Sequence, residues 1–410
     1  MKTYTSKIYT LLILMLFSTG LFAQQLQVFK GSFEQLKAQA QKDNKLILID
    51  LYFEGCMPCK QMDNEVFPDT KIVSLLNKDY LLFKTDVFKE IDGKLLSRKY
   101  AVSGFPTFLL LDATGKLITM ESGFYAVDRF AALLEAAKEQ ASKGLFRAFD
   151  TDLNKSYPDF YSARYMMTGQ KFESSVVKEY LDKQSDPFSE VPFVCILNSN
   201  ISHYNQLVYN HLPELLERYG ASILQNKVTS ITKANIAGFG KNNQKDSLLA
   251  TLDYIRPTYN ERLWSVYLPI FITDYYKNGG NATDYLKLIA HLKPFTSWDA
   301  ESNAYAQLII DQKQHTDILN ALELKYRTAL TNTKTNIADQ YKYSLIQAYL
   351  GHKEAAMDQI LKLKKNQMNA EESPLISAQA ITELENAIKS NTVMELKPVN
   401  ALTTIPYSLN

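Results

Sequence analysis

Residues 46–60 read LILIDLYFEGCMPCK, and no other part of the chain is as informative about its fold. The run 46–53 is apolar except for Asp50, which is typical of a strand that is covered on both faces. Cys56 and Cys59 follow this run almost at once. The pattern therefore predicts a buried central strand that leads directly to a pair of cysteines.

The proline between the two cysteines predicts where a helix begins. A helix tolerates proline only in its first turn, so Pro58 places Cys56 near the N-cap and Cys59 inside the first turns. Unpaired backbone N–H groups and the helix dipole favour an anion at that position. We therefore expect Cys56 to be the more exposed of the two and to be partly thiolate at neutral pH.

The elements predicted around this stretch suit a small mixed sheet with helices on both faces, in the order β-α-β-α-β-α-β-β-α. A short alternating stretch at 26–30 is the first predicted strand, and Ser32 with Gln35 predicts a capping box at the start of a helix. The later elements are a helix at the cysteines, a strand at 80–86, a helix near 95–100, strands at 107–112 and 117–120, and a helix from about 128 to 143.

Two motifs resemble those of the thioredoxin superfamily. The stretch 50–60 is similar to that family's active-site motif, and 102–107, VSGFPT, is similar to its cis-proline loop. The likeness is greatest to the periplasmic thioredoxin-like domain of DsbD-type transmembrane reductases and their soluble relatives, and it covers residues 26 to about 143. The chain departs from thioredoxin at Gly55, where tryptophan is usual, and at Met57, where glycine is usual.

The resemblance implies roles for five residues. Cys56 attacks a substrate disulfide, and Cys59 then resolves the mixed disulfide. Asp50, buried beneath the helix, acts through water as the proton acceptor for Cys59. Pro106, if cis, brings its loop against Cys56 and leaves the backbone at Phe105 free to pair with an extended substrate strand.

Four neighbouring residues complete the predicted site. Met57 and Pro58 lie between the cysteines and are expected to contact the substrate, while Lys60 is a candidate modulator of the cysteine pKa. Asp63 lies four residues past Cys59 and so shares its helix face. We favour the interpretation that Asp63 is a solvated surface charge. The alternative, which the resemblance implies, is that Asp63 affects the acidity of the cysteine.

The N-terminus has the pattern of a secretory signal. Lys2 and Lys7 precede an apolar run at 8–17, and Ala23 suits signal peptidase, which predicts a signal peptide at 1–23. The run is broken too early for a membrane anchor. We therefore expect an exported protein, periplasmic or otherwise extracytoplasmic, that is soluble after signal cleavage. The balance of 45 Lys and Arg against 44 Asp and Glu excludes nucleic-acid binding as the main function.

The 410 residues suffice for two or three domains. We predict a thioredoxin-like α/β domain at 24–145, an all-α domain at 146–391 with a break near 238–244, and an irregular tail at 392–410. The stretch 345–361 has spacings that resemble a tetratricopeptide hairpin. A helical bundle and a repeat array both remain open for this second domain.

These observations predict a thiol–disulfide oxidoreductase, either a reductase or an isomerase. Its partners would be exported client proteins with disulfides and an upstream dithiol electron donor, with a membrane reductant among the candidates. The alternative is a redox-sensing or scaffold protein whose helical domain binds a partner. A structural role for a disulfide that closes so short a loop is disfavoured.

No metal or cofactor is expected. A zinc site needs four ligands, and Cys195 and the five histidines lack the required spacing. Cys195 lies in the apolar run 191–197 and is interpreted as a core residue, in preference to a resolving thiol.

Overall fold

The computed structural model describes three stretches of the chain, which are residues 25–332, 337–368 and 376–396. The chain divides into two compact units, with the division between Val228 and Thr229. The predicted signal peptide and most of the predicted tail lie outside the described residues. Of that tail, residues 392–396 are described, and they contain a short 3₁₀ turn at Val393–Glu395.

A four-stranded mixed sheet lies at the centre of the first unit. Its strands are β1 (Leu46–Tyr52), β2 (Tyr80–Asp86), β3 (Thr107–Leu111) and β4 (Leu117–Ser122). They lie in the order β2-β1-β3-β4, with β1 parallel to β2 and the other two pairs antiparallel. The five inner residues of β1 are all buried, as its apolar run predicts.

The predicted strand at 26–30 is wrong. This segment makes only an isolated parallel bridge from Val28 to Leu82, supported by the N–H of Phe29 donating to the Leu82 carbonyl at 2.7 Å. The reason lies in the next residue, because Gly31 has a φ of 147° and turns the chain away towards the first helix. The alternating pattern is real, but too few residues run along the sheet edge to form a ladder.

Helices cover the sheet. The capping box predicted at Ser32 is present, with the Gln35 N–H donating to the Ser32 side chain and the Ser32 N–H donating to Gln35 Oε1 at 2.9 Å. The helices of this part are α1 (Phe33–Asp43), α2 (Met57–Gln61), a π-helical turn (Met62–Val66), α3 (Thr70–Asp79), α4 (Ile91–Lys99) and α5 (Val127–Ser142).

Aromatic packing holds the cysteine helix against the sheet. Phe130 of α5 lies 5.0 Å from Phe108 of β3 and 5.7 Å from Phe67, which follows the π-helical turn, between ring centroids. Met62, in the same turn, is fully buried in this cluster. Because edge-to-face rings fix mutual orientation as well as burying area, α2 has a defined position over the end of β1.

Helices continue beyond the sheet, as the sequence predicts. Those that follow in the first unit are α6 (Asp159–Met166), α7 (Ser174–Asp182), α8 (Glu190–Leu197), α9 (Ser202–Asn210) and α10 (Leu212–Tyr219). Helix α11 (Ala221–Lys241) begins in the first unit and ends in the second. The fold class is thus a thioredoxin-like α/β sheet followed by a mostly helical region.

The second unit is helical throughout its described length. After the predicted break, its helices are α12 (Lys245–Ile255), α13 (Glu261–Lys277), α14 (Ala282–Leu292), α15 (Trp298–Asp311), α16 (Thr316–Asn332), α17 (Ile337–Tyr349), α18 (Lys353–Met368) and α19 (Ala378–Ser390). The stretch with tetratricopeptide-like spacing falls on α17 and α18, which pack together through a Ser344 Oγ bond to the Ala356 carbonyl at 3.0 Å. Within the three described stretches, every helix is too short or too polar to cross a bilayer.

Candidate redox site

Cys56 and Cys59 form a disulfide at the start of α2, with 1.98 Å between their sulfurs. Cys56 is the N-cap residue, and its Sγ accepts the N–H of Cys59 at 3.2 Å. The two residues are almost equally covered, with 6% and 5% of their surface exposed. The expectation that Cys56 is the more exposed concerns the reduced protein and stays a prediction, because the structure shows the disulfide form. Met57, which is 74% exposed, takes the outer position.

Asp86, at the end of β2, holds the loop that leads into the disulfide. Its buried carboxylate accepts the N–H of Glu54 at 3.0 Å, and it also accepts the N–H groups of Phe88 at 2.8 Å and Lys89 at 3.1 Å. Gly55 follows with a φ of 94°, which a residue with a side chain adopts only with strain. The sequence did not point to Asp86, although an acid at the carboxyl end of a strand beside β1 is a usable signal.

Asp50 lies on β1, six residues before Cys56, and is buried. Burial raises the pKa of its carboxyl, and the nearby Lys84 ammonium offsets part of that rise. Lys84 Nζ lies 2.8 Å from Asp50 Oδ2. The other carboxyl oxygen, Oδ1, has no hydrogen-bond partner among the described residues. The carboxyl can therefore hold or release a proton closer to neutrality than an exposed aspartate can.

Lys84 connects Asp50 to Asp63. Its ammonium also forms an ion pair with Asp63, so Asp63 is a paired group even though its side chain is 46% exposed. Burial lowers the pKa of Lys84, but the two carboxylates raise it by more, so the net direction is upward and the amine stays charged. The ammonium also lies 4.8 Å from the centroid of the Phe67 ring. Lys84 was not singled out from the sequence, although a lysine inside the largely apolar strand 80–86 was a signal.

A cleft of about 630 Å³ adjoins this charged group. Asp63 and Lys84 line one part of it, and Leu26, Val28 and Phe67 line another. The cleft gives solvent a way to the ammonium that contacts Asp50. It therefore offers a route by which a proton on the buried carboxyl can exchange with water.

The Phe105–Pro106 peptide bond is cis. The Phe105 ring lies 5.4 Å from the ring of Phe53 and 6.2 Å from that of Phe88, and the latter two rings are 5.4 Å apart. Since Phe53 lies three residues before Cys56, this contact places the proline loop beside the disulfide loop. Across residues 25–332, 337–368 and 376–396, the backbone of Phe105 makes no hydrogen bond to another backbone group. It is thus available to pair with another chain.

The remaining predicted residues lie at the surface or in the core. Pro58 and Lys60 are exposed on α2 beside Met57. Cys195 is buried in α8, and burial raises the pKa of its thiol to about 12, in agreement with its interpretation as a core residue. Among the residues that the structure describes, no group of three His, Cys, Asp or Glu side chains could hold a metal ion.

Residues 33–138 match the family model of the thioredoxin-like domain. The thiol:disulfide interchange protein DsbD of Pseudoalteromonas atlantica is 30% identical over 102 residues, which are 24% of this chain and 17% of that protein. DsbD of Yersinia pestis is 31% identical over 98 residues, 23% of this chain and 16% of its own length. The chain thus matches about a sixth of the length of these relatives. The sequence prediction of a thioredoxin-like domain with DsbD-type relatives is confirmed.

A solved structure of similar fold is the C-terminal domain of Neisseria meningitidis DsbD in the oxidised form. It is 18% identical, covers 25% of this chain and 90% of its own, and has a TM-score of 0.23.

Proposed function

We propose that this chain is an exported thiol–disulfide oxidoreductase that reduces or isomerises disulfides of client proteins. The observation that carries the proposal is the Cys56–Cys59 disulfide at the N-terminus of α2, on the strand-to-helix connection that follows the buried Asp50. The cis-proline loop that ends at Pro106 lies beside it. The match of residues 33–138 to the thioredoxin-like domain supports the same conclusion.

In the reduced protein, Cys56 is the attacking group. The N–H of Cys59 that now donates to Cys56 Sγ stabilises a thiolate there, together with the dipole of α2. The thiolate attacks one sulfur of a client disulfide, a mixed disulfide forms, and the other client sulfur leaves as a thiolate and takes up a proton. Cys59, as thiolate, then attacks Cys56 Sγ, which releases the second client thiol and restores the internal disulfide. Two electrons have passed to the client, so a dithiol donor must supply two in return.

Asp50 is the proton acceptor for Cys59 in this scheme. Burial raises its pKa, so the carboxylate takes up a proton more readily than that of an exposed aspartate. Lys84 keeps the carboxylate form accessible through its ion pair, and Asp63 holds Lys84 in place at the edge of the cleft. Asp63 then acts on the acidity of the cysteines indirectly, through Lys84.

Export is supported by the sequence alone. The pattern of residues 1–23 fits a secretory signal, and it would deliver the dithiol to a compartment where client proteins carry disulfides. The electron donor is then a dithiol facing that compartment, for which a membrane reductant is one candidate.

Insulin reduction tests the activity. We expect the mature protein to reduce insulin with dithiothreitol as the donor, and the Cys56→Ser variant to lose the activity. Cys195→Ser is the matched control, because its buried thiol takes no part, and it should keep the wild-type rate. Equal rates for wild type and Cys56→Ser would contradict the proposal.

A trapping experiment separates the enzyme from a scaffold. The Cys59→Ser variant cannot resolve a mixed disulfide, so it should accumulate covalent adducts with clients that reductant releases. Partner binding that is indifferent to both cysteines would instead favour the redox-sensing or scaffold alternative.

The direction of electron flow follows from the reduction potential. Titration of the Cys56–Cys59 couple against glutathione should place it near roughly −270 mV for a reductase, whereas a value near roughly −120 mV would indicate an oxidant.

A further inference from the structure

The loop that carries the cis proline is anchored outside the thioredoxin-like sheet. Lys99, the last residue of α4, holds the segment that leads into this loop. Its side chain is fully buried, and its Nζ lies 2.6 Å from Glu190 of α8 and 3.1 Å from Asp150. The ring of Tyr100 lies 5.0 Å from that of Phe149. The helical part of the first unit therefore holds the residues that lead into the loop.

The middle of the same loop contacts α11. Asn226, in the second turn of that helix, donates from Nδ2 to Ser103 Oγ at 2.9 Å. Ser103 lies three residues before Pro106, and both members of this hydrogen bond are exposed. The start of α11 thus lies beside the loop on a surface that solvent reaches.

The side chains of α11 next to this contact are polar and uncharged. Ser222 lies one turn before Asn226 on the same helix face, and Gln225 lies next to it; all three have exposed or partly exposed side chains. Hydroxyl and amide groups pair with peptide N–H and C=O groups irrespective of client sequence. We call Ser222, Gln225 and Asn226 the amide face.

We propose that the amide face extends the client-binding surface beside the cis-proline loop and binds the backbone of an extended polypeptide whose disulfide reacts at Cys56. The backbone of Phe105, two residues from Ser103, pairs with the same segment of the client. The amide face carries no charge, and its hydrogen bond to Ser103 joins it to the loop that carries the free Phe105 backbone. Both features favour a polypeptide over any charged small molecule. The protein then selects polypeptide disulfides over small disulfides, an inference that rests on the proposed function.

Single-turnover kinetics with two oxidants tests this selection. The protein is reduced, freed of reductant and mixed either with insulin or with the small aromatic disulfide 5,5′-dithiobis(2-nitrobenzoate). We expect Asn226→Ala to slow insulin reduction about two- to tenfold, the effect of losing one net hydrogen bond, and to leave the rate with the small disulfide unchanged. Asn210→Ala is the matched control: Asn210 is an exposed helical asparagine bonded to Gln206 on its own helix, and both rates should stay at wild type.

A double-mutant cycle with Ser103→Ala tests whether Asn226 acts through the loop. Additive slowing of insulin reduction by the two substitutions would support direct binding by Asn226, whereas a non-additive result would assign Asn226 to positioning the loop and overturn the inference. Equal slowing with both oxidants would assign Asn226 a purely structural role and overturn the inference, as would an unchanged insulin rate. A wild-type protein that reduces neither oxidant would overturn the proposed function itself, which is a separate outcome.

Discussion

Two opposing electrostatic effects act on the pKa of Asp50, one from its burial and one from the neighbouring Lys84. Burial favours the neutral carboxyl, while the ammonium 2.8 Å away favours the carboxylate, and burial dominates the pKa of Asp50. A carboxylate that is costly to form inside the fold lowers stability when it ionises. In the proposed mechanism, the same rise in pKa suits the carboxyl to accept a proton from Cys59.

We predict that Asp50→Asn changes how stability depends on pH. The pKa of Asp50 is raised in the folded protein, so its stabilising contribution is complete below the ordinary carboxyl pKa and is lost as pH rises through the raised value. The variant carries no such charge. Its free energy of unfolding should therefore increase relative to wild type with rising pH, by about 1.4 kcal/mol for each unit of pKa displacement.

Urea unfolding of the disulfide form between pH 4 and 9 measures this difference. Glu34→Gln, at an exposed position of α1, is the control and should run parallel to wild type. Parallel profiles for Asp50→Asn and wild type would show that folding does not raise the pKa of Asp50, which would contradict its role as the proton acceptor.

Whether a site residue could be predicted depends on how far away in the sequence its structural partners lie. Cys56, Pro58 and Asp50 could be predicted because the rules that place them act within one strand and one helix turn. The sequence marks Lys84 and Asp86 only as charged residues in a strand. Their place at the site depends on the parallel register of β1 with β2, which pairs Asp50 with Lys84 across 34 positions of sequence and which no local rule gives.

At the scale of elements, α4 packs backbone to backbone on the end of β2. A Cβ added to Gly93 would lie 2.6 Å from the carbonyl oxygen of Asp86 and 2.8 Å from its carbonyl carbon. Neither atom can move away without displacing the strand end. Asp86 also organises the loop before the disulfide, so the close approach of α4 supports the site.

We predict that Gly93→Ala destabilises the first unit. Alanine favours a helix over glycine by about 0.5–1 kcal/mol, but the contact with backbone atoms should cost about 1–3 kcal/mol and decide the sign. Gly104→Ala is the matched control for stability, since a Cβ there meets no atom within 4 Å. Urea unfolding followed by circular dichroism measures both, and equal midpoints would mean that α4 can shift freely.

The bounds of the helices and strands show where tertiary packing overrides local sequence preferences. The four strands lie where the periodicity predicts them, but the interval after the cysteines contains a π-helical turn, closed by the Phe67 N–H bond to the Met62 carbonyl at 2.9 Å. No propensity predicts that turn. The turn directs the side chains of both Met62 and Val66 into the core. Their packing there depends on aromatic residues that lie far along the chain.

At the scale of the whole molecule, the sheet and the first helices share one unit. The predicted boundary near residue 145 falls inside that unit and stays a prediction. The sequence shows the change in composition near residue 145. It does not predict the buried ion pair between Lys99 and Glu190 that spans this change, because the two residues are 91 positions apart. Glu190 also accepts the N–H of Asp150 at 2.9 Å and the hydroxyl of Tyr157 at 3.2 Å.

We predict that Lys99→Met destabilises the first unit, by up to about 3–5 kcal/mol, because it leaves the buried Glu190 with only its longer ion pair to Lys155, at 3.3 Å. Adding Glu190→Gln should recover part of the loss, since the buried charge is then removed. Lys89→Met is the control: its ion pair with Glu54 is exposed, and little change in the unfolding midpoint is expected. If Lys99→Met costs no more than Lys89→Met, the helices are not held to the sheet by this pair, and the loop before Pro106 must be anchored by its aromatic contacts and its hydrogen bonds, such as that from Asn226 to Ser103.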